Sequence, residues 1–460
     1  MTTETVSRYR FPGVDGAWWL GLRPLPLIVA AADVTATVLA LYVGAPLPVG
    51  LLILMVGAAA VLIPVGDRAS VEWAPVAVRT FVARLSGAHR WRATSALQPR
   101  RPVATVLRLP ASFGHQRVVV ADGVGILDDA RAGTLVGVLG VAGTDRFGLC
   151  EPSEQARLLD GWGSALAALA ADSRIARLQW MERAAPEDRD ASAWMRERAA
   201  SGDPGVAGYL ELVKELTAQS TRHDVWLAIA VDGTAGVDAV PDTLADVTAR
   251  LLAAQLVARP LDAVELPELL RRGIDGSGGG CGPTQSLGPV STVESWEQVR
   301  TDDCWHRGYA VTGWPRLPLT AGWLEPLLLS APPDVARTVS VHLQPVAAAE
   351  AMRRARSARS RARLDAVDRA RLGLVDSARV NADAAEAAAA EEELVAGYRL
   401  HRVCGVVTVS APSATALDEG CRAVRTAAHT ARLELRPLHG QHALALRAAL
   451  PLCRADGRDR

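Results

Sequence analysis

Two long apolar stretches close to the start of the chain constrain the fold more than any other feature. Residues 25–43 contain one charged side chain, Asp33, and residues 47–65 contain none. As helices, each would be roughly 28 Å long, which is close to the hydrocarbon thickness of a bilayer. Three residues, Gly44-Ala45-Pro46, join them. The pattern therefore predicts a two-helix transmembrane hairpin over residues 24–66, after a cytoplasmic N-terminal segment over residues 1–23.

A cleaved signal peptide and a buried hairpin of a water-soluble protein are the alternatives. A signal peptide has one shorter apolar core, and two nearly uncharged stretches in succession are unusual in water. Arginines flank the hairpin on both sides, whereas the connecting loop is uncharged. By the positive-inside rule, both termini are expected in the cytoplasm, with the chain crossing the inner (cytoplasmic) membrane twice.

Residues 67–102 form a basic segment, interpreted as a juxtamembrane region that lies on the anionic membrane surface. Contact with nucleic acid is the alternative. The formal net charge of the whole chain is zero, however, so no overall field attracts a polyanion. The candidate membrane-surface residues are Arg79, Arg84, Arg90, Arg92, Arg100 and Arg101.

Asp33 and Thr37 lie one turn apart near the middle of the first apolar stretch. An ionisable group at that depth is costly, so it normally faces protein or water. A partner helix, a protonated carboxyl group or a polar helix–helix contact would each accommodate it. We favour a role in assembly over ion conduction.

From residue 103 onward, short β-like runs alternate with amphipathic helical segments. This alternation predicts an α+β fold made of ferredoxin-like units, one over 103–273 and a second over 295–460. A Gly/Ser/Pro-rich linker over 274–294 separates them. Its glycines follow a helix, and no GxxxxGK[ST] pattern occurs in the chain, so a phosphate-binding loop is not predicted.

The stretch "RTDDCWHRGYAVTGWPR", residues 300–316, contains the best catalytic candidates, Cys304 and His306. A cysteine–histidine nucleophilic pair is one interpretation, a binding surface another, and a structural strand the favoured one. None of the six cysteines belongs to a CxxC pair, and a structural zinc site needs four ligands. We therefore assign no catalytic, cofactor-binding or metal-binding residue.

Residues 347–399 predict a long helical arm inserted in the second unit. Residues 350–372 carry a net charge of +5, and residues 376–393 carry −5. If the chain turns near Gly373, two antiparallel helices bring these charges together; a single solvated helix is the alternative. The candidate docking residues of the arm are Arg353, Arg354, Arg356, Arg359, Glu391, Glu392 and Glu393.

An ordered set of short motifs carries a family resemblance. These motifs are "VSRYRFPG", "QWMER", "TRHDVWLAIAV", "WHRGYAVTGWPRLP", "RLELRPLHGQ" and "ALPLC". Together they resemble a family of actinobacterial, conjugation-associated membrane proteins that are grouped as PrgI-like. The body of the chain is also similar to the non-motor N-terminal half of conjugative type IV secretion ATPases.

The resemblance implies a membrane-anchored structural component of a conjugation or type IV-like secretion machine, acting as a motor-less platform for a separate ATPase. The expected partners are the membrane, that ATPase, other machine subunits and further copies of the chain itself, with no direct nucleic-acid binding and no cofactor. The alternatives are a type VII secretion membrane subunit with a two-helix anchor, and a membrane-tethered enzyme that uses Cys304 and His306.

Overall fold

The computed structural model describes most of the chain in segments between residues 24 and 454. The described residues are 24–62, 64–65, 68–92, 106–108, 115–143, 147–186, 221–275, 289, 291–302, 304–315, 319, 322–329, 332, 334–371 and 378–454. The cytoplasmic N-terminal segment predicted over 1–23, most of the predicted linker and the turn near Gly373 lie outside them.

Three helices form the N-terminal part. They are α1 (Pro24–Tyr42), α2 (Leu47–Leu62) and α3 (Ser70–Leu85), with the short strands β1 (Pro64–Val65) and β2 (Arg68–Ala69) between the last two and β3 (Arg90–Arg92) after them. Helices α1 and α2 pack on each other, and both contact α3.

The predicted transmembrane hairpin is wrong. Within the described residues, no helix has both the length and the apolar character that a membrane crossing requires. Helix α2 has 16 residues and ends before Pro64, so it is about 24 Å long, short of the roughly 30 Å of a bilayer core. Helix α1 carries Asp33 in its middle. The fold class that began with this hairpin and the multi-pass membrane localisation are corrected accordingly.

The first body unit is a β-α-β-β-α-β arrangement with a preceding hairpin. After β4 (Val106–Arg108) come β5 (His115–Ala121), β6 (Val124–Asp129), β7 (Thr134–Ala142), α4 (Pro152–Ala171), β8 (Ile175–Pro186), β9 (Thr221–Asp232), α5 (Ala239–Ala253), β10 (Val257–Pro260) and α6 (Glu265–Asp275). Strands β10 and β9 pair with the two edges of β7, and β8 pairs with β9. The sequence pattern also predicts a helical stretch over residues 187–219, between β8 and β9, and these residues lie outside the described part of the chain.

The second unit repeats the same order of elements. It comprises β11 (Ser291–Glu294), β12 (Val299–Thr301), β13 (Cys304–Gly313), α7 (Glu325–Leu329), β14 (Ala336–Pro345), α8 (Ala348–Arg371), α9 (Ala378–Val395), β15 (His401–Ala411), α10 (Ala414–Thr430), β16 (Glu434–Pro437) and α11 (His442–Ala448). Here β16 and β15 pair with the two edges of β13, and β14 pairs with β15.

All these strands except β1 and β2 belong to one 14-stranded antiparallel sheet. The two units join where β8 pairs with β14, and Met181 is opposite Ser340 at the centre of that pairing. Met181 precedes the strand-ending Pro186 by as many residues as Ser340 precedes Pro345. The units are therefore related by an approximate twofold axis at this pair, which we call the seam.

A short sequence match supports an internal duplication. Residues 254–261, "AQLVARPL", and residues 431–438, "ARLELRPL", follow the equivalent helices α5 and α10. Gln255 and Arg432 occupy the same place in each copy, and both have a positive φ, 60° and 57°. A left-handed backbone is uncommon for residues other than glycine, so its recurrence at one position indicates a shared local structure.

The helices cover both faces of the sheet. In β9, Leu227, Ile229 and Val231 face the core formed with α4 and α5, whereas Ala228 and Ala230 face a second core that contains α6 and α11. The second half of this strand is buried on both sides, which explains the unbroken apolar run of residues 225–231. Helix α6 meets the segment that follows α11 at Gly273, where an added Cβ would lie 2.6 Å from Leu450 Cδ2.

Candidate functional site

Cys304 and His306 lie in β13 on one buried face of the sheet. His306 Nε2 is 2.5 Å from Thr301 Oγ1, and its Nδ1 is 2.8 Å from Ser410 Oγ, so both ring nitrogens have hydroxyl partners. The Cys304 thiol donates to the Ala411 carbonyl at 3.4 Å. Burial lowers the pKa of His306 to about 3, which keeps the ring neutral. The arrangement favours the structural interpretation over a nucleophilic pair.

A buried ion pair crosses the seam on the side towards α7. Both carboxylate oxygens of Glu182 in β8 accept hydrogen bonds from Nη2 of Arg337 in β14, each at 2.9 Å. Arg337 also donates to the carbonyls of Leu327 and Leu328, and His223 Nδ1 is 2.8 Å from Glu182. Burial lowers the pKa of Arg337, while Glu182 opposes that effect. This cluster fixes the alignment of the two units.

A second buried polar network lies at the seam beside the C-terminal helix. Gln179 Nε2 lies within hydrogen-bonding distance of Ser340 Oγ and of the carbonyls of Ala448 and Leu450, and Gln179 Oε1 accepts a hydrogen bond from Cys453 N at 2.7 Å. His342 Nε2 also lies 2.9 Å from the Ala448 carbonyl. The end of α11 is thereby bound to strands of both units.

A buried ion pair between Asp129 and Arg454, which the sequence pattern does not predict, ties the last described residue to the first unit. Asp129, at the end of β6, accepts a 2.6 Å hydrogen bond from Arg454 Nη2 and a 3.1 Å bond from Gln116 Nε2. The backbone amides of Arg131 and Ala132 donate to the same carboxylate. The only signal in the sequence was an aspartate before a turn, which does not identify a partner 325 residues away.

Asp33 and Thr37 make contacts within the N-terminal hairpin. Asp33 is half-buried and faces Gly57 of α2, where an added Cβ would lie 2.0 Å from the carboxyl carbon. The Thr37 hydroxyl donates to the backbone carbonyl of Asp33 at 2.9 Å. Glycine at position 57 thus makes room for the Asp33 carboxyl group between the two helices.

The predicted basic surface is divided among different elements. Arg79 and Arg84 lie on α3, whereas Arg90 and Arg92 lie in β3, which pairs with β11 at an edge of the sheet. All four side chains are exposed. Arg100 and Arg101 lie outside the described residues. With the membrane hairpin overturned, the membrane-surface role assigned to these arginines has no structural support.

An aromatic cluster connects α3 to the second unit. The rings of Trp296 and His439 stack with their centroids 5.7 Å apart, and Trp73 of α3 lies 5.9 Å from Trp296. Nearby, Glu294 accepts a 2.9 Å hydrogen bond from the amide of Ala443, and burial raises the pKa of its carboxyl group. The segment predicted as juxtamembrane is thus attached to the body.

The arm is the main charged feature outside the sheet. Its helices pack against each other, and Arg359 and Arg356 of α8 both pair with Glu391 of α9, at 2.7 and 3.6 Å. The predicted antiparallel pairing of the charged halves is therefore present. Arg354 pairs with Glu350 on its own helix, while Arg353, Glu392 and Glu393 are exposed.

The described part of the chain offers no obvious metal centre, since no group of three or more His, Cys, Asp or Glu side chains is arranged to hold an ion. The comparisons with known proteins add no assignment: no family model matches the chain, and no curated protein matches it. Nothing found here supports the terms secretion and conjugation that the resemblance suggested, and they are not carried further.

Proposed function

We propose that this protein is a non-catalytic docking scaffold whose arm binds a partner protein. The observation that carries the proposal is the placement of α8 and α9. Within the arm's described residues, the buried side chains of α8 are Ala351 and Ala355, close to its base. Most of the remaining residues of α8 lie beyond these two alanines and are not buried, and the whole helix is about 36 Å long.

The charge of the arm supports a protein partner. Helix α8 carries eight arginines against three acidic residues, and α9 carries five acidic residues against one arginine. Only some of these charges pair across the arm, so exposed arginines such as Arg353, Arg361 and Arg363 are available to an acidic surface. Complementary charges of this kind raise association rates and select partners.

The body supports a scaffold because its polar side chains are used for structure. The strongest catalytic candidates, Cys304 and His306, are buried and form hydrogen bonds to the neighbouring strands. The Glu182–Arg337 ion pair joins the two units.

Site-specific photo-crosslinking in the producing cell tests the proposal. A photoreactive amino acid in place of Arg361 on the arm is compared with one in place of Arg157, an exposed arginine on α4. We expect one protein to crosslink from position 361 and not from position 157, and to bind the purified chain directly. Equal crosslinking from both positions, or no direct binding of the captured protein, would refute arm-mediated docking.

A further inference from the structure

The first unit contains an apolar cavity between α4 and the sheet. Its volume is about 300 Å³, at the lower end of the range for small-molecule sites. The walls include the rings of Phe147, Trp162 and Trp180 and the side chains of Leu159 and Leu256. None of the described residues that line it carries a charge, and Gln255 at the margin contributes the one side-chain amide.

The internal duplication indicates what shape this cavity accepts. Val225 in β9 and Gly405 in β15 occupy equivalent positions. In each unit this strand begins opposite the proline that ends the preceding strand, and both residues lie four positions after that beginning. In the second unit an added Cβ on Gly405 would lie 2.8 Å from Cζ2 of Trp314. Val225, the equivalent residue of the first unit, forms part of one wall of the cavity. The indole ring of Trp314 therefore lies, in the second unit, where the first unit has its cavity.

The two copies differ in how they fill this place. In the second unit Trp314 packs with Val311, Leu324 and Leu328 in one apolar core, above the shorter helix α7. In the first unit the equivalent wall borders open space beneath the longer α4. An apolar cavity with a single side-chain amide among its described lining residues is a poor site for water, so an apolar guest gains free energy on entering it.

We infer that the cavity of the first unit binds a small uncharged aromatic molecule of about the size of an indole ring. The rings of Trp162 and Trp180 supply apolar and edge-to-face contacts, and the Gln255 amide can bond to one polar group of the guest. A charged analogue should bind more weakly, because none of the described lining residues carries a charge that would compensate for the loss of its hydration.

Isothermal titration of the full chain with indole, and with indole-3-carboxylate as the charged analogue, tests the inference. We expect one indole per chain to bind saturably, and the carboxylate to bind at least about tenfold more weakly, a difference of about 1.4 kcal/mol. Leu159→Trp, which fills the cavity, should abolish indole binding. Leu252→Trp places the same ring on an exposed site of α5 and should leave binding unchanged.

Val141→Phe provides a second cavity-filling variant, in case Leu159→Trp does not fold. Loss of indole binding in a folded filling variant, with binding retained in Leu252→Trp, would support the site. Absence of saturable indole binding to the unmodified chain, or equal binding by the filling variant, would overturn it.

Discussion

Arg337 illustrates how a single buried charge can decide the stability of the whole sheet. Its side chain is fully buried, and its guanidinium group bonds to Glu182 across the seam and to two carbonyls of α7. Replacing one partner of such a pair leaves the other charge buried without compensation, which costs more than the pair itself contributes.

Substituting Arg337→Met should therefore lower the free energy of unfolding by about 3–5 kcal/mol, as measured by urea denaturation. The matched control is Arg259→Met, because Arg259 forms a similarly short pair with Glu265 but its side chain is 66% exposed. The control should cost less than about 1 kcal/mol. Similar costs for the two variants would show that the seam pair has no special role.

Buried histidines make the stability depend on pH. Burial lowers the pKa values of His306, His342 and His442 to about 3, 4 and 3, from 6.5 in the unfolded chain. Between these values the unfolded state binds protons that the folded state does not, so folding is favoured above pH 6.5 and weakened as pH falls. At the steepest point, three such groups give a slope of about 4 kcal/mol per pH unit.

Urea titrations between pH 7 and 5 measure this slope. His306→Asn should reduce it by at most about 1.4 kcal/mol per pH unit, since one buried histidine no longer titrates. His429→Asn, at an exposed position on α10, is the matched control for the substitution itself. An unfolding free energy that stays constant over this pH range would contradict the assigned burial.

At the scale of elements, the arm is separable from the sheet that carries it. Pro345 pairs with His401 at the ends of β14 and β15, and Val346 N donates to Leu400 O at 3.0 Å. The arm thus leaves and re-enters the sheet at adjacent positions, where a two-residue turn could connect the strands.

Replacing residues 347–399 with Asn-Gly should give a folded protein whose β14 and β15 form a hairpin. We expect far-UV circular dichroism to show the loss of the α8 and α9 helices, while the thermal transition of the body remains within a few degrees. Loss of cooperative unfolding in this variant would mean that the arm is part of the core.

Several elements were predictable from local pattern, and others were not. The alternating residues of β13 and the charge segregation of the arm depend on side chains close together in sequence, and both predictions agree with the structure. The apolar composition of α1 and α2 suggests membrane spans, but α2 ends before Pro64 and has 16 residues. The seam could not be predicted from local pattern, because it joins residues that are as far apart in sequence as Glu182 and Arg337.

At the scale of the whole molecule, the duplicated units share one continuous sheet and one face of packed helices. Val138 and Ala228 of the first unit belong to the same core as Ala443 and Leu446 of α11. The repeated "ARPL" and "LRPL" segments could have revealed the duplication, but five identities in eight residues are a weak signal without the matching strand order.

Because the two units share this core, we expect the body to unfold in a single transition. Tryptophan fluorescence and far-UV circular dichroism, followed during urea denaturation of the variant that lacks the arm, should give coincident curves. Separate midpoints for the two probes would indicate that the units fold independently and that the seam is only a surface contact.

We propose that the arm recruits its partner through exposed charged side chains. The most direct test is the affinity of the crosslinked partner for the purified chain in which Arg353, Arg361 and Arg363 are all replaced by Glu. We predict at least a tenfold loss, about 1.4 kcal/mol, and no loss when the exposed body arginines Arg157, Arg402 and Arg422 are reversed instead. Unchanged affinity in the arm variant, or an equal loss in the body variant, would show that these arginines do not mediate docking.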